Sequence, residues 1–165
     1  MNDERYMNLA LAEARKALAR GEFPVGSVFV HEGQVLARGS RSHSCEQMNE
    51  VDHAEVLALR AFLDADLAID PSELTVYATM EPCLMCFSTL ILNGIRRIVY
   101  AYEDVMGGGT GLDLSQLNPL YAAMTIEVVP HVCRMESLTL FQQFFSNPDN
   151  AYWPDSFLAR YTLAQ

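Results

Sequence analysis

The stretch LTVYATMEPCLMC, residues 74–86, constrains the fold more than any other part of the sequence. Its first half is rich in residues that favour β-strands, and Pro82 suits the first position of a helix that runs to about Leu92. Cys83 and Cys86 are three residues apart, so they share one face of that helix near its first turn. The helix dipole favours thiolate there, and thiolate is the form that binds metal. The stretch therefore predicts a strand followed directly by a helix that carries two metal-type ligands at its start.

Short apolar runs and helical patterns alternate along the rest of the chain. Two of these runs flank the turn sequence HEG and predict a β-hairpin. The overall order predicts an α/β domain with helices on both faces of one sheet, and the hairpin makes that sheet mixed rather than wholly parallel. The other predicted helices are 3–20, 52–65 and 133–146, and the strands are 24–30, 34–40, 74–80, 96–102 and 124–129.

The length of 165 residues and a composition of 50% hydrophobic and 19% charged side chains suit one globular domain. We expect a single domain over 1–165, with a core at 1–146 and a C-terminal tail at 147–165. The first residues are charged and lack the apolar core of a signal peptide. No apolar run approaches the roughly 18 residues that predict a membrane span. We therefore expect a cytoplasmic protein with no membrane partner and no structural disulfides among its four cysteines.

The segment VDHAEVLALR, residues 51–60, begins a second helix, and its polar residues have two interpretations. Asp52 suits the N-cap, and Glu55 three residues later completes a pattern similar to a capping box. His53 between them offers an imidazole, which suits zinc. Ligands of type His, Cys and Cys leave the fourth tetrahedral position of zinc open for water, as in catalytic sites. A carboxylate beside that position can move the proton of the water.

The motifs HAE and PCLMC together match the pattern H-x-E…P-C-x-x-C of zinc-dependent nucleobase deaminases. Over about residues 3–146 the chain resembles the cytidine and deoxycytidylate deaminase-like superfamily, most of all its branch of tRNA adenosine deaminases, guanine deaminases and yeast-type cytosine deaminases. The resemblance implies a three-layer α/β/α domain with a central mixed five-stranded sheet. It also implies that His53, Cys83 and Cys86 bind one Zn²⁺ per chain. Glu55 would be the catalytic residue, passing a proton from water to a ring nitrogen and then to the leaving ammonia.

For the substrate, the sequence favours a free, small aminated heterocycle such as guanine over nucleic acid. The net charge of −10 repels phosphate, and Arg160 is the only basic residue after position 146, whereas related tRNA deaminases tend to carry a basic C-terminal helix. The family usually has Gly-x-Asn after the second strand, with Asn touching the base. This chain has Gly39-Ser40-Arg41 there, which makes Arg41 a candidate for contact with a carbonyl oxygen or a phosphate.

Adenosine in tRNA is the alternative substrate from the same chemistry, because a local patch can bind RNA on an acidic protein. The resemblance places six residues at the substrate, whichever it is: Phe23, Val25, Arg41, Ala54, Glu81 and Pro82.

A non-catalytic module stabilised by structural zinc is a hypothesis of a different class. It needs a fourth protein ligand, for which His43, Cys45, His131 and Cys133 are candidates. A third hypothesis is an enzyme active only as an oligomer, and the habits of relatives favour a homodimer.

Three further features have mainly structural interpretations. The glycine-rich run MGGGTG, 106–111, lacks the lysine and spacing of a phosphate loop, and we expect a mobile loop at the border of the site. Arg96 and Arg97 are expected to be solvated residues at the start of a strand, with phosphate contact as the alternative. The late aromatic residues are expected to pack the tail, with folding over a pocket as the alternative: Trp153, Phe157 and Tyr161.

Overall fold

The computed structural model describes residues 2–45, 47 and 49–165. The strands in this part of the chain are β1 (Gly26–His31), β2 (Gln34–Ser40), β3 (Thr75–Met80), β4 (Arg97–Tyr102) and β5 (Glu127–Val129). They form one sheet in the order β2-β1-β3-β4-β5. β1 is antiparallel to β2 and β3, whereas β3, β4 and β5 are parallel. The sheet is mixed and five-stranded, as predicted, because the hairpin adds two antiparallel pairings to a parallel unit.

Helices cover both faces of this sheet. They are α1 (Asp3–Ala19), α2 (Ala54–Asp64), α3 (Leu84–Leu92), α4 (Pro119–Ala122), α5 (Arg134–Ser146) and α6 (Phe157–Leu163). α2 and α3 pack with Phe29 and Val76, and α1 and α5 pack with Val28 and Tyr77. Adjacent strand residues point to opposite faces, so the three-layer α/β/α prediction is confirmed. Among the described residues, no helix is long and apolar enough to cross a membrane.

The tail, 147–165, packs against the core through α6, where Leu158 and Ala159 are buried. The prediction that the tail aromatics are packing residues is wrong for two of them. Trp153 is 44% exposed and Phe157 is 54% exposed. The side chains that α6 buries follow Phe157 in the sequence, so Phe157 itself stays on the solvent side of the helix start.

The start of α2 differs from the predicted capping arrangement. His53 is the N-cap residue and its side chain makes no capping hydrogen bond. Asp52, the predicted cap, instead accepts a hydrogen bond from Asn49 Nδ2 at 2.9 Å and lies 2.8 Å from His43 Nδ1. The Asp52 N–H donates to Asn49 Oδ1 at 3.3 Å, which leaves no donor there for a capping box with Glu55. Asp52 therefore makes its hydrogen bonds within the loop that precedes α2, and the helix begins after this loop.

Three other elements begin two or three residues later than predicted, and the first is β1, which begins at Gly26 rather than at 24. α3 begins after Cys83, its N-cap residue, rather than at Pro82. β5 begins at Glu127 rather than at 124. Met124 and Ile126 pack against the apolar cluster beneath α2 and α3, so they serve the core without joining the strand.

Gly39 allows the start of α2 to lie directly on β2. A Cβ atom at this position would lie 1.9 Å from the carbonyl oxygen of Ala54, the first residue of α2. Only glycine permits so close an approach between strand and helix. The contact sets the position of α2, and with it the positions of His53 and Glu55.

Candidate active site

Three metal-type side chains meet where α2 and α3 begin. His53 and Cys83 are the extended residues just before the two helices, and Cys86 lies in the first turn of α3. The His53 Nδ1 atom is 3.4 Å from Cys86 Sγ and 3.6 Å from Cys83 Sγ. Within the described part of the chain, these three form the one group of potential ligands whose donor atoms all lie within 4.8 Å of one another. The structure therefore brings together the ligand set predicted from the sequence.

The donor chemistry of this set fits Zn²⁺, which binds thiolate sulfur and imidazole nitrogen. The hydrogen bond with Cys86 lowers the pKa of Cys83 to about 4, and the hydrogen bond with His53 adds to this although burial opposes it. The same Cys83 contact, together with burial, raises the pKa of Cys86. Burial acts to lower the pKa of His53, but Cys83 and the charge of Glu55 outweigh it and raise that pKa. Cys83 is thus the readier thiolate of the two, and metal binding releases the proton of the Cys86 thiol.

A closed structural zinc site needs a fourth protein ligand. The residues that the structure describes supply none next to His53, Cys83 and Cys86. None of the four candidates joins the three-residue group: His43, Cys45, His131 and Cys133. His43 is beside Asp52, and the Cys45 thiol donates to the carbonyl oxygen of Gly21 at 3.1 Å. A three-ligand set leaves a coordination position for a reacting water.

Glu55 is buried next to the ligand set, in the first turn of α2 and 3% exposed. Its Oε2 atom accepts a hydrogen bond from Cys86 Sγ at 3.5 Å. Burial raises the pKa of Glu55, and the charge of His53 opposes this only in part. A carboxyl group with a raised pKa, held beside an open metal position, is suited to accept and return a proton.

Glu50 connects the ligand set to the rest of the site. Its Oε2 atom lies 3.3 Å from His53 Nε2, the ring nitrogen that faces away from the two thiols. The same oxygen accepts a hydrogen bond from Arg41 Nη2 at 3.0 Å. Tyr152 of the tail donates to Glu50 Oε1 at 3.1 Å, and burial, followed by the charge of Glu50, raises the pKa of this tyrosine to about 12. Tyr152 therefore stays a hydrogen-bond donor near neutral pH.

A cavity of about 200 Å³ opens over His53, Glu55 and Cys83. This is smaller than the roughly 300 Å³ at the lower end of sites for drug-sized ligands. Its other lining residues include five of the six predicted substrate residues: Phe23, Val25, Arg41, Ala54 and Glu81. Pro82, the sixth, is not among the lining residues.

The glycine-rich loop, 106–111, borders this cavity through Met106 and Gly107, as its position in the sequence suggests. The expectation of a mobile loop is not supported, because hydrogen bonds anchor it to the start of α3. The Gly109 N–H donates to the carbonyl oxygen of Pro82 at 2.9 Å. The Glu81 carboxylate accepts from the Thr110 hydroxyl at 2.5 Å. Glu81 therefore holds the loop in addition to lining the cavity.

Sequence reasoning missed several residues of the site. Glu50 lies in a polar, aperiodic loop, and Phe145 and Tyr152 come from near or beyond the end of α5. The density of aromatic residues after position 140 was the one available signal, and it supported only the alternative that the tail folds over a pocket. Of the three tail aromatics to which that alternative applied, Trp153 lines the cavity, whereas Phe157 and Tyr161 are not among its lining residues. Arg96, by contrast, donates to the carbonyl oxygens of Ile91 and Ile95, which is a structural role.

Comparison with known proteins places this site in a family. Residues 1–102 match the sequence profile of the cytidine and deoxycytidylate deaminase zinc-binding region. The tRNA-specific adenosine deaminase of Bacillus subtilis (strain 168) is 33% identical over 143 residues, which cover 87% of this chain and 88% of the relative. The corresponding protein of Agrobacterium fabrum is 33% identical over 142 residues, covering 85% of this chain and 91% of the relative.

Solved structures support the same assignment. A structure from work on A-to-I editing by tRNA:A34 deaminases superposes with a TM-score of 0.68 at 31% identity, covering 82% of this chain and 98% of the other. A guanine deaminase from Nitrosomonas europaea has a TM-score of 0.68 at 20% identity, covering 86% of this chain and 83% of the other, and it shows a shared fold. The matched range, residues 1–102, contains His53, Glu55, Cys83 and Cys86. The chain therefore belongs to the zinc-dependent cytidine and deoxycytidylate deaminase family, enzymes that hydrolyse the C–N bond of an exocyclic amine.

Proposed function

We propose that this protein replaces the exocyclic amine of a nucleobase by oxygen, with Glu55 as the proton carrier. The observation that carries the proposal is a buried carboxylate that borders the same cavity as His53 and Cys83. Zinc, when bound by His53, Cys83 and Cys86, supplies a Lewis acid that makes a water nucleophilic near neutral pH. Glu55 would take one proton of the attacking water and pass it to a ring nitrogen. The second proton of that water would then pass through Glu55 to the amine, which leaves as ammonia as the C–N bond breaks and the C=O bond forms. The products are the oxo heterocycle and ammonia.

Apolar residues of the cavity suit a planar heterocycle and exclude bulk water from the reacting amine. Phe23, Val25 and Met80 are nearly fully buried where they line it. The Phe23 ring lies 5.3 Å, centroid to centroid, from the ring of Tyr152, so an aromatic wall is held in place by ring contacts. Low exposure also strengthens the electrostatic interactions of Glu55 within the site.

Replacing Glu55 by Gln tests this role. We expect the variant to retain one zinc per chain and to lose about 100-fold or more in turnover, because general acid–base catalysis contributes about that much. Metal analysis and an ammonia-release assay measure the two effects. Glu13→Gln is the matched control, since Glu13 is also a buried helical glutamate but pairs with Lys16 away from the cavity. Unchanged turnover in Glu55→Gln would rule Glu55 out.

Two substrate forms are candidates, and different observations favour them. The 33% identity to tRNA-specific adenosine deaminases favours adenosine in tRNA over the guanine-like free base that the sequence alone suggested. The free base keeps support from the net charge of −10 and from acidic groups at the cavity, Glu50, Glu81 and Asp104. Turnover on free bases, nucleosides and tRNA ranks the two, and turnover of tRNA alone would exclude the free base.

We also propose a cytoplasmic homodimer, as expected from the sequence. Large apolar side chains at the two ends of α3 support association, with Leu84 55% exposed and Leu92 56% exposed. Sedimentation of the zinc-loaded protein should give twice the chain mass of 18.4 kDa at micromolar concentration. A species of 18.4 kDa over the same range would contradict the dimer.

A further inference from the structure

Tyr152 of the C-terminal tail contacts the residue that lies behind a zinc ligand. Its hydroxyl is within hydrogen-bond distance of both oxygens of the Glu50 carboxylate, at 3.1 Å from Oε1 and 3.2 Å from Oε2. Glu50 Oε2 in turn lies 3.3 Å from His53 Nε2. Polar contacts therefore run without interruption from the tail, through the loop before α2, to the ligand set.

The contact with Glu50 sets the state of the His53 imidazole. Nδ1 is the ring nitrogen that faces the two thiols, at 3.4 Å and 3.6 Å, so it is the nitrogen placed to bind metal. The ring proton is then on Nε2, where it can be donated to Glu50. A carboxylate in this position orients the ring and makes the ligand nitrogen more basic. The affinity for zinc hence depends on where the Glu50 carboxylate is held.

Glu50 needs support from other residues to stay in that position. It lies in the irregular loop before α2, and its side chain is 50% exposed. A long, half-exposed side chain has several rotamers open to it, and fixing one of them costs conformational entropy. Arg41 Nη2 donates to Oε2 at 3.0 Å, whereas Tyr152 contacts both oxygens. Arg41 and Tyr152 are also hydrogen-bonded to each other, so each supports the other at Glu50.

The tail fixes the place of the Tyr152 side chain. Its backbone N–H donates to Asn150 Oδ1 at 2.9 Å, and its ring lies 5.3 Å from the ring of Phe23, centroid to centroid. Farther along the tail, the Thr162 hydroxyl of α6 lies 2.9 Å from the hydroxyl of Tyr102 in β4. A hydroxyl held by such packing can position a neighbouring carboxylate more precisely than mobile water can.

We propose that Tyr152 is a positioning residue for the zinc ligand His53, acting through Glu50, so that docking of the tail and binding of zinc stabilise each other. The coupling is reciprocal: the factor by which the docked tail raises zinc affinity is the factor by which bound zinc favours the docked tail. The inference goes beyond the proposed function, because it concerns the retention of metal and holds for any substrate.

Replacing Tyr152 by Phe tests this role, because it removes the hydroxyl and keeps the ring. We expect zinc affinity to fall about tenfold, at the lower end of the effect of losing a group behind a metal ligand, since Arg41 still holds one oxygen. Competition with a chelator measures the affinity in protein shown to be folded by circular dichroism. Tyr6→Phe is the matched control and should bind zinc like the unmodified protein, because the Tyr6 hydroxyl donates to Gly33 at 3.0 Å and does not line the cavity.

A double variant shows whether Tyr152 acts through Glu50. With Glu50 replaced by Ala, the hydroxyl has no carboxylate to position, so adding Tyr152→Phe should lower zinc affinity no further. A general structural effect would instead lower the affinity by the same factor in both backgrounds. Cobalt(II) in place of zinc gives a spectroscopic readout: its visible absorption depends on ligand geometry and should change in Tyr152→Phe but not in Tyr6→Phe.

The reciprocal effect can be measured in the unmodified protein. Trp153 adjoins Tyr152 and is the only tryptophan of the chain, so tryptophan fluorescence reports on the tail alone. Removing zinc should make this fluorescence more sensitive to quenching by acrylamide, and returning zinc should reverse the change. The response should be smaller in Tyr152→Phe and unchanged in Tyr6→Phe.

Three outcomes overturn the inference. The first is equal zinc affinity in folded Tyr152→Phe and Tyr6→Phe. The second is the same loss of affinity from Tyr152→Phe with and without Glu50. The third is quenching of Trp153 that does not depend on zinc in the unmodified protein, which decides the matter even if Tyr152→Phe misfolds. Failure of the proposed function appears separately, as the absence of ammonia release by zinc-loaded unmodified protein.

Discussion

At the scale of single residues, Glu50 links metal binding to the substrate wall. One of its oxygens lies close to both His53 Nε2 and Arg41 Nη2. A carboxylate on the far nitrogen of a metal-binding histidine sets the ring orientation and tautomer, and its loss typically weakens metal binding. Glu50 is 50% exposed as a side chain, so its effect comes from orientation rather than from burial.

We therefore expect Glu50→Ala to lower zinc affinity by about 10- to 100-fold. Competition with a chelator measures this in protein shown to be folded by circular dichroism. Glu73→Ala is a matched control, because Glu73 makes a similar contact with His31 Nε2 at 3.2 Å but lies outside the cavity-lining residues. Equal zinc affinity in the two variants would show that Glu50 does not orient His53.

At the scale of elements, the glycine-rich loop and the start of α3 are packed as one unit. A Cβ atom on Gly109 would lie 2.7 Å from the Cα atom of Leu84 and 2.8 Å from its backbone nitrogen. These neighbours are backbone atoms, which cannot move aside as a flexible side chain can. The loop therefore supports the helix turn that carries Cys83 and Cys86.

Gly109→Ala should lower the free energy of unfolding by about 1–3 kcal/mol, the usual cost of overpacking. Urea denaturation of the zinc-loaded protein measures the loss. Gly111→Ala, in the same loop, should stay within about 0.5 kcal/mol of the unmodified protein, because a Cβ atom there meets nothing within 4 Å. If both variants unfold alike, loop packing does not support α3.

At the scale of the whole molecule, an ionic cluster ties the tail to the sheet. Glu103, just after β4, accepts hydrogen bonds from Arg134 Nε of α5 at 2.8 Å and from the Tyr161 hydroxyl of α6 at 2.8 Å. Burial acts to raise the pKa of Glu103, but the hydrogen bonds from Arg134 and Tyr161 outweigh it and lower the pKa to about 2. Folding therefore favours the charged form of this carboxyl group.

The sign of the resulting pH dependence follows from linkage. A depressed pKa adds stability that is fully present above the ordinary glutamate value of 4.5 and is lost as pH falls toward 2. Glu103→Gln should thus be less stable than the unmodified protein from pH 5 to 8, by about 1 kcal/mol at most for a partly exposed pair. That difference should shrink below pH 4.5.

Denaturation at several pH values checks this dependence. Glu136→Gln is the control, since Glu136 is an exposed residue of the same helix, α5. A stability difference between Glu103→Gln and the unmodified protein that does not change between pH 6 and pH 3 would contradict the role of Glu103 as a charged anchor.

The predictions from sequence succeeded where the signal was local. Strand 74–80 and the cysteine pair are within a residue of their observed places, because a β-rich run, a proline and an i, i+3 spacing act over short distances. The Asp52 cap was wrong because loop residues 43 and 49 compete for its carboxylate. Neither residue shows this in the sequence, since both lie in an aperiodic polar segment.

The sequence by itself determined the ligand types, the order of strands and helices and the carboxylate two residues after the histidine, because each depends on residue type and short spacing. Only the tertiary structure decided which side chains surround the reacting group. Tyr152 and Glu50 are 102 residues apart, and they meet because burial of α6 brings the tail across the cavity. The sequence shows Arg41 only as a departure from the family's Gly-x-Asn motif. The structure shows that its side chain is buried, because long-range packing, which a local pattern does not encode, shields it from water.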